Sequence, residues 1–252
     1  MSVDGRHAVV TGGGSGIGLA IARALHDAGA RVTLMGRSVE RLRGVLDSLP
    51  GAAGIAVDVA DEASVAQAFA EAEALAPVDI LVNNAGAAVT APVARTSLDQ
   101  FRAMLDVNLL GPFLCTRAVL PAMTRRDYGR IITVASTSGL KGYAYTGAYC
   151  ASKHGVIGLT RTLALELART GVTANAVCPG FTDTELVERS LDNIVAKTGR
   201  GRDEALAELV KHNPQARLID PAEVAAAVLY LCSEQARSIT GQSLVVAGGE
   251  IM

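Results

Sequence analysis

Short apolar runs alternate with longer amphipathic stretches along the whole chain, and this alternation limits the folds that the chain can adopt. Runs rich in β-forming residues begin near His7, Arg31, Gly54, Asp79, Arg130, Val172 and Ser243. Because a helix must connect two parallel strands, this pattern predicts consecutive βαβ units. We expect an α/β fold in a single domain spanning residues 1–252. Its core would be a doubly wound parallel sheet of about seven strands with helices on both faces.

Local signals predict where some helices begin and end. Ser97-x-x-Gln100 has the pattern of a capping box, and Asp220-Pro221-x-Glu223 combines a cap, a first-turn proline and a reciprocal acid. Thr170-Gly171 predicts the end of the helix that begins near Tyr149, with Gly171 in the left-handed conformation.

The composition excludes several classes of function. The 252-residue chain has a formal net charge of −2 with acids and bases interspersed, and it contains no Trp. It therefore lacks the basic surface and the stacking aromatic residues that binding to nucleic acids or membranes would use. Its cysteines form no C-x-x-C pair and its histidines have no metal-ligand spacing. We expect no metal, no disulfide and a reduced, cytoplasmic compartment.

A glycine-rich turn joins the first predicted strand to an Ala/Leu-rich helix, with the sequence Thr11-Gly12-Gly13-Gly14-Ser15-Gly16-Ile17-Gly18. Glycines let the backbone turn sharply and approach a pyrophosphate, and the N-terminus of the following helix attracts the anion. The turn predicts a Rossmann-type dinucleotide site with contacts from Gly12, Gly14, Ser15, Gly16, Ile17 and Gly18. The spacing is T-G-x-x-x-G-I-G, and the alternative is a flexible glycine turn.

The residue after the second strand bears on which dinucleotide binds. That strand should end near Met35-Gly36, where an acidic residue would bind the adenosine ribose of NAD, and Arg37 follows instead. An arginine here can pair with a 2′-phosphate, so we favour NADP(H), with NAD(H) as the alternative. Ser15 weighs against NADP(H), because a basic residue there would grip the same phosphate. Arg37 alone also fits a surface arginine.

Tyr149 and Lys153 stand four residues apart in a predicted helix, so both project from one face. A nearby ammonium favours the ionised form of a phenol, and we expect Lys153 to lower the pKa of Tyr149. A tyrosine of this kind can exchange a proton with the oxygen of an alcohol or ketone. The pair alone also fits a solvated helix face.

Seven motifs follow one another in the order and spacing of a known family. They are T-G-x-x-x-G-I-G at 11–18, Asp58-Val59, Asn83-Asn84-Ala85-Gly86, Asn108, Ser136, Tyr149-x-x-x-Lys153 and Pro179-Gly180-x-x-x-Thr184. Over essentially its whole length the chain resembles the short-chain dehydrogenases/reductases. The resemblance implies an NAD(P)-dependent oxidoreductase that interconverts a ketone and a secondary alcohol, with hydride transfer belonging to the cofactor.

The resemblance implies roles for the residues of the predicted active site. Tyr149 would be the general acid or base, and Ser136 would bind the substrate oxygen and stabilise developing charge. Lys153 would hold the nicotinamide ribose and lower the pKa of Tyr149. The neighbouring hydroxyl residues are expected in a turn, a pocket wall or the surface: Ser138, Tyr143 and Tyr145.

Asn108 precedes a proline by four residues within a helical pattern. Pro112 has no N–H to donate, so the carbonyl of Asn108 should lack its intrahelical bond, and a kink is expected. The resemblance implies that this carbonyl holds a water linked to Lys153 in a proton relay. The alternative is a packing kink with Asn108 as a polar surface residue.

The resemblance also implies the rest of the cofactor site. Asp58 and Val59 would lie beside the adenine, and Asn84, Ala85 and Gly86 beside the adenosine ribose and the central sheet. The nicotinamide carboxamide would be bound by Pro179, Gly180, Thr182 and Thr184.

A stretch from Glu185 to about Asn213 leaves the βαβ pattern and reads as two helices around a Gly199-Arg200-Gly201 centre. In the family this insert, about 185–213, is the substrate lid, and its glycines permit movement. Arg200, Arg202 and Lys211 could meet an anionic part of the substrate or form solvated surface.

Two branches of the family bear on the substrate. The run from Ser136 to Gly142 resembles ketoreductases that act on polyketide and 3-oxoacyl thioesters, and the long lid resembles 3-hydroxybutyrate dehydrogenase. The residues by which the second branch holds a carboxylate are replaced here by Ala87, Ala88 or Val89, Ser138 and Thr146. We therefore favour NADP(H)-dependent reduction of a 3-oxoacyl thioester carried by CoA or a carrier protein.

Two other functions stay open. One is an NAD-dependent dehydrogenase of a hydroxy acid or of a cyclic or aromatic secondary alcohol. The other is a non-catalytic dinucleotide-binding sensor of the same fold, which would not need an intact catalytic set. The resemblance further implies a homotetramer, with interfaces formed by the helix after Ser97, the helix that carries Tyr149 and the segment 240–252. Ala247 stands where the family often has Asp.

Overall fold

All seven strands lie in one parallel sheet. The structure, a computed structural model, describes residues 1–199 and 201–251. The strands are β1 (His7–Thr11), β2 (Arg31–Gly36), β3 (Ala53–Ala56), β4 (Ile80–Asn83), β5 (Gly129–Val134), β6 (Val172–Pro179) and β7 (Ser243–Val246). Their order in the sheet is β3-β2-β1-β4-β5-β6-β7. The predicted sheet is confirmed, and each strand starts within one residue of its predicted start.

Helices cover both faces of the sheet. They are α1 (Gly16–Asp27), α2 (Val39–Leu46), α3 (Glu62–Leu75), α4 (Leu98–Leu105), α5 (Gly111–Arg126), α6 (Gly147–Glu166), α7 (Glu185–Thr198), α8 (Arg202–Val210) and α9 (Pro221–Cys232). One large core packs α1 and α9 against the sheet, and a second packs α3 and α5. Both faces of β5 and β6 are therefore buried, as parallel strands in doubly wound folds require.

Both predicted capping boxes are present. Ser97 accepts a hydrogen bond from the Gln100 N–H, and the Gln100 side chain accepts one from the Ser97 N–H. Asp220 and Glu223 make the same reciprocal pair at the start of α9. These signals could be read from the sequence because cap and partner lie within one helical turn.

The predicted end of α6 is wrong. The helix ends at Glu166, and Gly171 is not among the residues with positive φ. Gly171 instead lies against the turn at Asp127, where an added Cβ would be 2.0 Å from the Asp127 carbonyl oxygen. Its N–H also donates to the Asp127 carboxylate at 2.6 Å. Glycine is needed at position 171 because the backbone approaches the Asp127 turn closely there, and not because a helix ends there.

One continuous helical stretch among the described residues, Leu98–Arg126, is long and apolar enough to cross a membrane by length and composition. Within its most apolar window 44% is buried inside the protein. The core helix of a soluble protein passes the same test, so the stretch is weak evidence of a membrane span.

Gly171→Ala should destabilise the protein by about 1–3 kcal/mol, because the methyl group overlaps a backbone carbonyl that cannot move freely. Gly44→Ala is the matched control, since Gly44 lies inside α2 and nothing is within 4 Å of its added Cβ. That change should stabilise by up to about 1 kcal/mol. Urea unfolding measures both, and equal effects would contradict the contact at Asp127.

Candidate active site

The glycine turn lies at the carboxyl end of β1, where the sheet order reverses between β1 and β4. This switch point is where open α/β sheets bind ligands. Gly12 has a φ of +65°, and its added Cβ would lie 2.9 Å from the Asn84 amide nitrogen. A Cβ on Gly18 would lie 2.2 Å from the Gly12 carbonyl oxygen. Only glycine therefore fits at these two positions.

Asn84 and Ala85 hold the glycine turn from the neighbouring strand. The Asn84 side chain donates to the Thr11 carbonyl at 2.9 Å and to the Gly12 carbonyl at 3.2 Å. The Thr11 hydroxyl accepts from the N–H groups of Asn84 and Ala85, each at 3.0 Å. The sequence pattern placed Asn84 and Ala85 beside the cofactor, but it did not reveal this bracing of the turn.

Arg37 and Asp58 face one surface cleft of about 440 Å³ at the carboxyl ends of β2 and β3. The cleft is lined by Arg37, Ala56, Val57, Asp58, Ser64, Gln67 and Glu71. Among the described ion pairs none includes Arg37, whereas Arg41 reaches Glu185 at 3.3 Å. The guanidinium of Arg37 is therefore free to bind an anion in this cleft.

Ser136, Tyr149 and Lys153 meet at the carboxyl end of β5. Ser136 follows this strand and caps a 3₁₀ turn, Thr137–Gly139, where its hydroxyl accepts from the Ser138 N–H at 3.0 Å. The Lys153 ammonium donates to the Val134 carbonyl at 2.9 Å and lies 5.7 Å from the centre of the Tyr149 ring. The Ser136 side chain lies close enough to the Tyr149 phenol to lower its pKa. Lys153 is only 5% exposed, so the alternative interpretation, a solvated helix face, is excluded for this residue.

Burial controls the protonation of this pair. It raises the pKa of Tyr149, and the nearby Ser136 side chain offsets this rise only in part. Burial also lowers the pKa of Lys153 to about 8. The expectation that Lys153 lowers the pKa of Tyr149 is therefore wrong for this structure, because loss of solvation of the phenolate dominates.

Asn108 is buried at 1% exposure in a π-helical turn, Asp106–Leu110, between α4 and α5. Its side chain donates to the Ala87 carbonyl at 2.9 Å and accepts from the Ala87 N–H at 3.0 Å. Its alternative assignment as a surface residue is wrong. An added Cβ on Gly86 would lie 3.0 Å from the Asn108 side-chain oxygen and 3.8 Å from the Lys153 ammonium. Gly86 thus separates Asn108 from Lys153.

The remaining predicted cofactor residues lie on the same edge of the sheet. Pro179 ends β6, and the Gly180 N–H donates to the Val246 carbonyl at 3.0 Å. Thr182 is buried, and Thr184 is the N-cap residue of α7. The Thr184 methyl group would lie 3.2 Å from a Cβ on Gly16, so the start of α7 contacts the glycine turn. Val59 is buried against Gly111.

Comparison with known proteins agrees with this geometry. The short chain dehydrogenase family profile matches residues 6–194. The protein is a short-chain dehydrogenase/reductase. It is therefore an oxidoreductase that interconverts CH–OH and C=O groups. Its fold superimposes on an actinorhodin polyketide ketoreductase variant with NADPH at a TM-score of 0.94, with 39% identity over 99% of each chain.

Two relatives represent the two branches named from the sequence. The 3-oxoacyl-(acyl-carrier-protein) reductase FabG of Salmonella typhimurium is 37% identical over the full length of both chains. The D-beta-hydroxybutyrate dehydrogenase of Cupriavidus necator is 38% identical over 98% of each chain. Identity to the two is thus nearly equal and does not choose between their substrates.

Two of the three basic residues expected to face an anionic part of the substrate already have acidic partners. Arg202 forms ion pairs with Glu188 and, at 3.4 Å, with Asp192. Lys211 pairs with Glu208. Arg200 lies outside the described residues. These pairs favour the solvated-surface interpretation of Arg202 and Lys211.

Three hydroxyl residues near the site differ in their contacts. Ser138 is buried in the 3₁₀ turn, as predicted, and Tyr145 is 65% exposed. Tyr143 is more than a wall, since its hydroxyl lies 2.6 Å from the Glu250 carboxylate. Nothing in the sequence pattern indicated Glu250. Among the described residues, no three His, Cys, Asp or Glu side chains are grouped as metal ligands.

Lys153→Met should stabilise the reductase at neutral pH by about 3 kcal/mol, the cost of a lysine pKa lowered from 10.5 to about 8. Below pH 8 both folded and unfolded chains hold the proton, so the full destabilisation is present. Between about 8 and 10.5 the unfolded chain binds more protons, and wild-type stability rises with pH. The gain from Lys153→Met should therefore shrink across this window.

Urea unfolding of both proteins at a series of pH values from 7 to 10 measures this difference. Lys211→Met is the control, because Lys211 lies half-exposed at the end of α8. A gain that does not change with pH would contradict a lysine pKa near 8.

Proposed function

We propose that this protein reduces a ketone to a secondary alcohol with NADP(H), with Tyr149 as the general acid, or catalyses the reverse oxidation with Tyr149 as the base. The observation that carries the proposal is the grouping of Ser136, Tyr149 and Lys153 at one strand end. The likeness to a ketoreductase with NADPH supports it. An intact catalytic set argues against the alternative of a non-catalytic sensor.

Each catalytic side chain has a task that its position supports. The Ser136 hydroxyl donates to the substrate oxygen and stabilises charge that develops there. The Tyr149 hydroxyl, beside Ser136, gives its proton to the same oxygen. Lys153 loses and regains a proton near pH 8, so it can resupply Tyr149. When bound, the nicotinamide supplies the hydride.

Asn108 takes part through its backbone in this proposal. Both polar atoms of its side chain are used by Ala87. A proton relay to Lys153 therefore falls to the Asn108 carbonyl, which Pro112 cannot bond and which can hold a water.

The cofactor site is proposed to prefer NADP(H). The cleft holds Arg37 without a carboxylate partner among the described residues, which suits a 2′-phosphate. Glycines at 12 and 18 let the turn pack closely against Asn84 and its own backbone at the switch point of the sheet, where a pyrophosphate would bind. The proposed contacts are Gly12, Gly14, Ser15, Gly16, Ile17, Gly18, Arg37, Asp58, Val59, Asn84, Ala85, Gly86, Tyr149, Lys153, Pro179, Gly180, Thr182 and Thr184.

The substrate is proposed to be a 3-oxoacyl thioester of CoA or a carrier protein. Lys141, the lysine of the loop after Ser136, pairs with Glu250 at 3.2 Å and is not free to hold a substrate carboxylate. This pairing disfavours a free hydroxy acid. The alternative is NAD-dependent oxidation of a hydroxy acid or of a cyclic or aromatic secondary alcohol, as the likeness to a hydroxybutyrate dehydrogenase suggests.

We also propose a cytoplasmic homotetramer whose chain is one dinucleotide-binding domain with a lid at about 185–213. Large apolar side chains are exposed along α4, the π-helical turn and α5, and on α6, which suits burial between subunits. They are Leu98, Phe101, Leu110, Phe113 and Leu165. The free thiols of all four cysteines agree with a reduced compartment.

Tyr149→Phe should lower kcat for ketone reduction at least roughly 100-fold, because the general acid is lost while the ring is kept. NADPH binding, followed by fluorescence, should stay within a factor of about three, since the phenol contributes one neutral hydrogen bond. Tyr145→Phe is the control, because Tyr145 is largely exposed. Equal rates for wild type and Tyr149→Phe would exclude the role of Tyr149.

Arg37→Ala should raise KM for NADPH roughly tenfold or more through loss of a charge-assisted bond to phosphate, and leave KM for NADH unchanged. Arg43→Ala, which removes an exposed arginine of α2, serves as control. A wild-type protein that uses NADH better than NADPH would refute the preference.

A further inference from the structure

Glu250 places a carboxylate inside the protein from the third-last position of the chain. Its side chain is 2% exposed. A buried carboxylate is strongly destabilising unless charged or hydrogen-bonding partners surround it. Its partners therefore indicate what the residue does.

Two residues of the loop after Ser136 bind one oxygen of this carboxylate. Glu250 Oε1 accepts a hydrogen bond from the Tyr143 hydroxyl at 2.6 Å and forms an ion pair with the Lys141 ammonium at 3.2 Å. The Thr137 hydroxyl lies 2.8 Å from the Tyr143 oxygen. Because the carboxylate can only accept, Tyr143 donates to Glu250 and Thr137 donates to Tyr143. The Lys141 ammonium also lies 4.8 Å above the Tyr143 ring.

The same carboxylate reaches the segment that leads into the lid. An added Cβ on Gly180 would lie 3.2 Å from Glu250 Oε2. The next residue, Phe181, meets the Tyr143 ring edge to face, with 6.5 Å between ring centres. Tyr143 is thus held between the C-terminal tail and the start of the lid, and it belongs to the loop that runs from Ser136 to Tyr149.

The tail that carries Glu250 is itself fixed. Gly248 has a φ of +60°, and its added Cβ would lie 2.2 Å from the Asn213 side-chain oxygen. Gly249 packs on Pro214, where an added Cβ would lie 3.3 Å from the ring. The end of the lid thus supports the backbone on which the carboxylate stands.

We infer that Glu250 is a positioning residue for substrate binding: it holds the Tyr143 ring as a wall of the substrate site and neutralises Lys141. The inference rests on the proposed ketone reduction. It assigns no proton transfer to Glu250, so substrate affinity should depend on this residue and chemistry should not. It also makes the C-terminal tail part of the substrate site of its own chain.

Kinetics of variants test the inference. Glu250→Ala should raise KM for the ketone roughly tenfold through loss of a hydrogen bond to a charged group, with kcat and KM for NADPH within about threefold of wild type. Glu250→Gln keeps an acceptor for Tyr143 and should recover most of the affinity. Tyr143→Phe breaks the same bond, so the double variant Glu250→Ala/Tyr143→Phe should be no worse than the poorer single variant. Glu166→Ala, at the exposed end of α6, is the control.

Losses that add in the double variant would overturn the inference, as would a Gln variant no better than the Ala variant, or a fall in kcat with KM unchanged. Should Glu250→Ala fail to fold, Glu250→Gln and Tyr143→Phe still decide between these outcomes. A wild type that reduces no ketone refutes the proposed function separately.

Amide hydrogen exchange tests the inference independently of catalysis, because it needs no substrate. Exchange of the loop at 137–146 should become faster in Glu250→Ala and Tyr143→Phe, and stay near the wild-type rate in Glu250→Gln and Glu166→Ala. Unchanged exchange in the first two variants would overturn the positioning role.

Discussion

The buried ammonium of Lys153 is the interaction on which the active site depends. A lysine at this depth is destabilising, and its contact with the Val134 carbonyl at the end of β5 offsets only part of that penalty. Because Val134 and Ser136 belong to the same strand end, the bond that holds Lys153 also fixes α6 beside Ser136. Tyr149, one turn earlier on α6, is thereby brought to the serine hydroxyl. The burial of Lys153 against the end of β5 therefore both lowers the pKa of the lysine and places the tyrosine.

Close backbone approach makes this contact possible. A Cβ on Gly139 would lie 2.6 Å from Ile157 and 2.7 Å from the Lys153 carbonyl, so only glycine lets the Ser136 loop rest on α6. A Cβ on Gly155 would lie 2.9 Å from Leu109, so α6 also meets the π-helical turn that carries Asn108. At the proposed cofactor site, hydrogen bonds between Asn84 and Thr11 hold the glycine turn close to the end of β4.

The structural features that could be predicted from the sequence depend on residues that are close together along the chain. Strand starts follow apolar periodicity, and the Ser97 and Asp220 caps need only a partner three residues away. The wrong predictions depend on contacts between distant segments. Gly171 resembled a helix stop but is set by Asp127, 44 residues earlier. The pKa of Tyr149 is set by burial, which the four-residue spacing to Lys153 does not reveal. Glu250 carries no signal in the sequence for the same reason, because it meets Tyr143 across 107 residues.

Titration of Lys153 tests the central claim most directly. The chain has four lysines, so carbon-13 labelling of the lysine side chains gives few signals to follow by NMR as pH is raised. We predict one signal with a pKa of about 8 that is absent in Lys153→Met. The other signals should titrate near the ordinary lysine value of about 10.4. Titration of all four lysines near that ordinary value would show that the Lys153 ammonium is solvated, and would contradict the account of the active site given above.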